Sequence, residues 1–106
     1  MKFNMQNMMQ QAQKMQEEME RIKEEVGKKT VTAESGGGMV KVTMTGGNEL
    51  VSLKIEKDAI DPEDPEMLED LIIAAVNKAT KDAADMVNDE MGKVSGMLPN
   101  IPGLNL

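Results

Sequence analysis

An α+β fold, one helix followed by three strands and a second helix, is what three changes of apolar period along the 106-residue chain predict. A heptad covers residues 5–26, alternation covers residues 30–57, and a helical stripe returns after Asp64. The expected organisation is one domain over residues 1–95, with a helix at 3–27, strands within 29–57 and a helix at 65–91. A Pro/Gly-rich flexible tail is expected over 96–106.

In the heptad, Met5, Met8, Ala12, Met15, Met19, Ile22 and Val26 are separated alternately by three and four residues, which lines them up on one strip of a helix. Met9 widens that strip at one end. So regular a seam asks for coiled-coil packing against a partner helix, at about 36 Å of helix length. Gly27 is expected to end the helix as a C-cap, with Lys28 and Lys29 at the negative end of its dipole.

The segments TVTAES, MVKVTMT and ELVSLKIE are rich in β-branched residues and are separated by glycine clusters, the pattern of a meander. Gly36, Gly37 and Gly38 form one turn, and Gly46, Gly47 and Asn48 the next, as residues that accept positive φ. Val40, Val42 and Met44 share one face with Val51, Leu53 and Ile55, while Lys41, Thr43, Thr45, Ser52, Lys54 and Glu56 take the wetter one.

Asp64 is a good N-cap with Pro65 at the first helical position. The stripe Leu68, Ile72, Ala75, Val76, Ala79, Ala83, Met86 and Val87 then follows the helical period. Its alanines allow close approach of a neighbour but bury little area per residue. Glycines and prolines from Gly92 to Gly103 are expected to stop this helix. Two helices of this length on so small a sheet leave an apolar strip uncovered, which a homodimer would cover.

Composition narrows the function. With no Cys and no His, the chain lacks thiolate or imidazole metal ligands, Cys nucleophiles and the usual general base, so it does not read as an enzyme. The one aromatic residue, Phe3, provides no stacking platform for single-stranded nucleic acid. No apolar run approaches the roughly 20 residues that span a bilayer, and the N-terminus has no continuous signal region; a cytoplasmic protein is expected, without membrane partner, cofactor or small-molecule substrate. The acids Asp58, Asp61, Glu63, Asp64 and Glu66 lack the glycine and ligand spacing of a calcium loop and read as a solvated loop feeding a helix N-terminus. The triple glycine lacks the Lys and Ser or Thr of a phosphate loop.

The net charge of -7 is unevenly spread: residues 58–90 hold 11 acidic and 2 basic groups, whereas residues 1–29 hold 6 basic and 5 acidic. Lys14, Arg21 and Lys28, seven apart, share a stripe on the first helix beside Lys23, and a phosphate backbone could follow it. The same residues could equally serve intrahelical pairs such as Glu17 with Arg21, Arg21 with Glu25 and Glu20 with Lys23, worth about 0.2–0.5 kcal/mol each. Lys78 and Lys81 are the two cations of the second helix. The methionine strip fits core or dimer packing and, as a second use, an adaptable surface for a protein partner.

The segments MMQQAQKMQEEME, VTAESGGGMVKVTMTG, EMLEDLIIAAVNKA and GMLPNIPGL, in that order over nearly the whole chain, resemble the YbaB/EbfC family of bacterial nucleoid-associated proteins. That resemblance implies an α-β-β-β-α subunit, an intertwined tweezer-like homodimer with a shared β core, and binding to duplex DNA in the nucleoid, altering its conformation and affecting nucleoid organisation and gene expression, with no enzymatic activity. It assigns DNA contact to Lys14, Arg21, Lys23, Lys28, Lys78 and Lys81, and the dimer interface to Val40, Val42, Met44, Val51, Leu53 and Ile55. A module that docks a protein partner through its Met-rich and acidic helices is the alternative.

Overall fold

The computed structural model describes residues 5–97, with side chains to residue 93. Helix α1 (Met5–Lys28) leads into strands β1 (Thr30–Ser35), β2 (Val40–Thr45) and β3 (Leu50–Ile55), a short 3-10 turn at Lys57–Ala59, and helix α2 (Pro65–Met97). The strands form an antiparallel sheet in the order β1-β2-β3. Its register places Val42 opposite both Ala33 and Leu53, and Val40 opposite Ile55, with a bulge where Met44 meets the start of β3.

The first hairpin closes through Gly36, Gly37 and Gly38, all at positive φ. In the second, Asn48 takes the left-handed conformation, and Gly46 serves another purpose. A Cβ on Gly46 would stand 2.5 Å from the carbonyl oxygen of Val26 and 3.0 Å from Cγ2 of Val87, so the turn lies against the ends of both helices. The Gly47 amide donates to the Gly27 carbonyl at 3.2 Å, and Lys29 N donates to the Val26 carbonyl at 3.1 Å. These bonds satisfy carbonyls at the α1 terminus that Gly27 was expected to cap. Gly27 lies within the helix and has no positive φ.

At the start of α2, Asp64 Oδ1 accepts a bond from Met67 N at 3.3 Å and Pro65 takes the first helical position, as the sequence predicts. The helix runs to Met97, six residues beyond the expected stop at Met91, and passes through Gly92. A glycine inside a helix costs only about 1 kcal/mol relative to alanine, too little to end it unaided. Of the tail expected over 96–106, residues 98–106 lie outside the described residues.

α2 packs across β1 and β2. Val40, Val42, Ala33 and Met44 are buried against Ala75, Ala79 and Ala83, and Val31, Ile55, Leu68, Leu71, Ile72 and Val76 pack round them. The alanine stripe brings helix and sheet close together, and Ser35 Oγ fastens one end by donating to the Leu71 carbonyl at 2.6 Å. β3 receives no such cover: Leu50, Val51 and Leu53 remain exposed. The radius of gyration is 21.0 Å, against about 13 Å for a compact chain of this length, and the longest dimension is 78 Å. The excess is α1, which extends away from the sheet from its one buried residue, Val26.

Candidate nucleic-acid interface

The free-standing arm α1 carries two unlike surfaces. Its apolar seam faces one way, and Lys14, Arg21 and Lys28 run down the opposite flank, because 3.6 residues per turn place the c positions far round from a and d. Lys23 sits at the edge of the seam.

Exposed carboxylates hold part of this stripe. Arg21 pairs with Glu18 one turn earlier and reaches Glu25 at 3.8 Å, while Lys28 lies 3.7 Å from Glu24. The Arg21–Glu25 pair is among those the sequence suggests; Glu18 replaces Glu17 as the second partner of Arg21, and the expected Glu20–Lys23 pair does not form among the described residues, while Glu24 pairs with Lys28 instead. Each such pair is worth about 0.2–0.5 kcal/mol, so a phosphate can displace a carboxylate at little cost. Among the described residues, Lys14 and Lys23 have no carboxylate within ion-pair distance. On α2, Lys78 and Lys81 are exposed, likewise without a paired carboxylate among the described residues, but Asp82 and Asp85 follow within a turn. α1 and α2 thus bring their cations to separate surfaces, with the richer set on the arm.

The base of the arm is tied by one ion pair that the sequence does not announce. Lys29 Nζ lies 3.2 Å from Glu90 Oε2 of α2, and Lys93 approaches the other oxygen at 3.6 Å. The hydrogen bond and charge of Lys29, then the charge of Lys93, hold the Glu90 carboxyl below its ordinary pKa. The partners are 61 residues apart and no local pattern links them. Of the loop acids, Asp61 Oδ1 accepts from Glu63 N at 3.0 Å and Asp64 caps α2, so two of them shape the loop itself.

The six residues assigned to a dimer interface fall into two groups. Val40, Val42 and Met44 are covered by α2 of the same chain, and Ile55 is half-buried at the margin of that core. Val51 and Leu53 stay open, joined by Leu50, which the sequence reading did not single out. Thr80 of α2 reaches Met44 Sδ at 3.6 Å, which marks the flank of α2 nearer β2 and β3. Ile73, seven residues earlier on the same stripe, is 56% exposed there. An apolar border therefore runs along β3 and the near flank of α2.

A model of the YbaB/EbfC DNA-binding family matches residues 1–98. A nucleoid-associated protein of Pelotomaculum thermopropionicum is 55% identical over 101 residues, covering 95% of both chains. One from Thermoanaerobacter pseudethanolicus is 53% identical over 96% of this chain and 91% of its own. The crystal structure of an uncharacterized protein from Helicobacter pylori superposes with a TM-score of 0.68 at 26% identity, covering 92% of this chain and 100% of that one.

Proposed function

Because the chain belongs to the YbaB/EbfC DNA-binding family, we propose that it acts as a nucleoid-associated homodimer in the cytoplasm that holds duplex DNA between helical arms, by binding rather than catalysis. The observation that carries this reading is the arm itself: a 24-residue helix anchored at one end and bearing Lys14, Arg21 and Lys28 on the flank away from its apolar seam. Contacts are to phosphate, with little reading of bases, and Lys23, Lys78 and Lys81 contribute less.

The dimer forms along the open border of Leu50, Val51, Leu53 and Ile73, where the sheet core of each subunit is incompletely covered. Val40, Val42, Met44 and Ile55 support that border from beneath. Doubling a charge of -7 makes the whole particle repel DNA, so attraction must be local to the arms, within about a Debye length.

Fluorescence anisotropy of a labelled mixed-sequence duplex across a salt series tests the reading. Affinity should fall with a log-log slope of about -0.9 per phosphate contacted. Lys14→Glu with Arg21→Glu should abolish binding while the dimer persists; undiminished affinity would refute the stripe.

A second reading has its own support in the exposed Met5, Met8 and Met9, an adaptable apolar surface of the kind that takes protein partners. Pull-down from lysate with and without nuclease separates the two: partners lost on nuclease treatment are bridged by DNA.

A further inference from the structure

Among the described residues, nothing of the same chain covers the outer part of the α1 seam. Val26 is 4% exposed at the base, Ile22, Met19 and Met15 are half-buried, and Met8, Met9 and Met5 are 55%, 64% and 69% exposed. Met5, Met8, Met9 and Ala12 line a shallow apolar groove at the far end of the arm. The seam recurs in heptads, at about 3.5 residues rather than 3.6, the repeat of a helix that meets one other helix along its length.

The side chains flanking the seam identify the partner helix and its direction. With Met5, Ala12, Met19 and Val26 at a and Met8, Met15 and Ile22 at d, the g positions hold Gln11, Glu18 and Glu25. The e positions hold Met9, Gln16 and Lys23. Two parallel copies of this helix set each g residue against the e residue of the next heptad in the other copy. That pairs Glu18 with Lys23, and Gln11 with Gln16, on both sides of the seam. An antiparallel pair sets g against g and e against e, so Glu18 would never meet Lys23. Within one chain Lys23 has no carboxylate at ion-pair distance among the described residues, and the parallel pair supplies one.

We infer that the arms of two dimers pair in parallel along Met5, Met8, Ala12, Met15 and Met19, with Glu18 of each arm bound to Lys23 of the other. This rests on the reading of the protein as a homodimer that holds a duplex between its arms. Arms held apart by a duplex cannot meet each other, so the second arm comes from another dimer. The flank of Lys14, Arg21 and Lys28 faces the duplex, and the seam on the other side faces the neighbouring clamp. Each dimer has two arms and therefore two seams, so pairing builds an open row of clamps. Clamps on one duplex meet at a high effective concentration, which favours a pairing that is weak between free dimers. In the free arm Glu18 is bound to Arg21; turning to Lys23 of another copy, it leaves Arg21 only the longer contact with Glu25, at 3.8 Å. Pairing of the arms thus frees Arg21 for phosphate.

Sedimentation of the full-length protein without DNA, across a concentration series, should show dimers joining into tetramers and longer rows. Glu18→Lys and Lys23→Glu should each abolish the tetramer, because each sets like charges against one another. The two together in one chain should restore it, since the ion pair is only reversed. Helical circular dichroism and the dimer should be unchanged in all three variants, whose substitutions lie outside the seam and the sheet core. A protein that stays dimeric at every concentration would overturn the pairing and leave the clamp standing. A tetramer indifferent to Glu18→Lys, or one that the double variant fails to restore, would also overturn it. Loss of the dimer itself in Met8→Glu with Met15→Glu would place the seam inside the dimer and overturn the clamp together with the pairing.

Discussion

Gly46 sits so close to Val26 that a methyl group on the glycine would stand 2.5 Å from the valine carbonyl oxygen. This contact joins the β2–β3 turn to the foot of the arm, and Val87 and Met86 close it from the α2 side at 3.0 and 3.2 Å. Backbone cannot yield as a side-chain tip can, so Gly46→Ala should lower stability by about 1–3 kcal/mol, the usual range for overpacking. Gly47, whose nearest neighbours to an added Cβ are 3.7 Å away, should tolerate alanine with a much smaller loss. Urea midpoints of the two variants measure the difference, and equal midpoints would remove the steric account of Gly46.

Most of the fold was legible because its determinants are local. The heptad, the alternating strands, the glycine turns and the Asp64–Pro65 helix start each declare themselves within a few residues. What escaped depends on distant neighbours. Gly46 looked like a turn glycine chosen for φ, whereas its role is set by Val26 and Val87. Gly27 looked like a C-cap, whereas the terminal carbonyls are met by Lys29 and by Gly47 from another hairpin. In the candidate site the cations were visible from spacing, but the carboxylates bracing them and the Lys29–Glu90 tie needed side-chain positions. Alternation gave β2 and β3 one apolar face and could not say which part α2 would cover.

The Lys29–Glu90 tie should weaken in acid. Glu90 has a depressed pKa when folded, so it binds its proton more readily in the unfolded chain, and its contribution to stability is present above the unfolded value. That contribution is lost as pH falls through the folded value. In a carboxyl-detected NMR titration Glu90 should titrate below the ordinary value for a glutamate, and Lys29→Met should move it back up. A titration unchanged by Lys29→Met would mean that the tie does not persist in solution.

The division of the sheet into a covered and an open part gives two substitutions opposite expected outcomes. Met44 is 4% exposed beneath α2, so Met44→Ala should cost about 2–5 kcal/mol within each subunit. Leu53 is 45% exposed on the open border, so Leu53→Glu should leave helical circular dichroism intact but yield a monomer in analytical ultracentrifugation. A Leu53→Glu dimer of unchanged strength would move the interface away from β3.

Charge surroundings separate the two helices as candidate DNA ligands. Lys14 stands among the described residues without a paired carboxylate, and Arg21 and Lys28 hold only exposed intrahelical partners, which phosphate can replace. Lys78 and Lys81 lie on a helix with Asp82, Asp85 and Asp89 nearby, so a phosphate approaching them also approaches those carboxylates. Removing one phosphate-contacting cation should lower the magnitude of the salt slope by about 1 per site occupied. In a homodimer each substitution occurs twice, so Lys14→Ala should reduce the slope by about 2 if both arms engage the same duplex. Lys78→Ala with Lys81→Ala should change it by less than Lys14→Ala alone. The reverse ranking would place the duplex against α2 and leave α1 for a different partner.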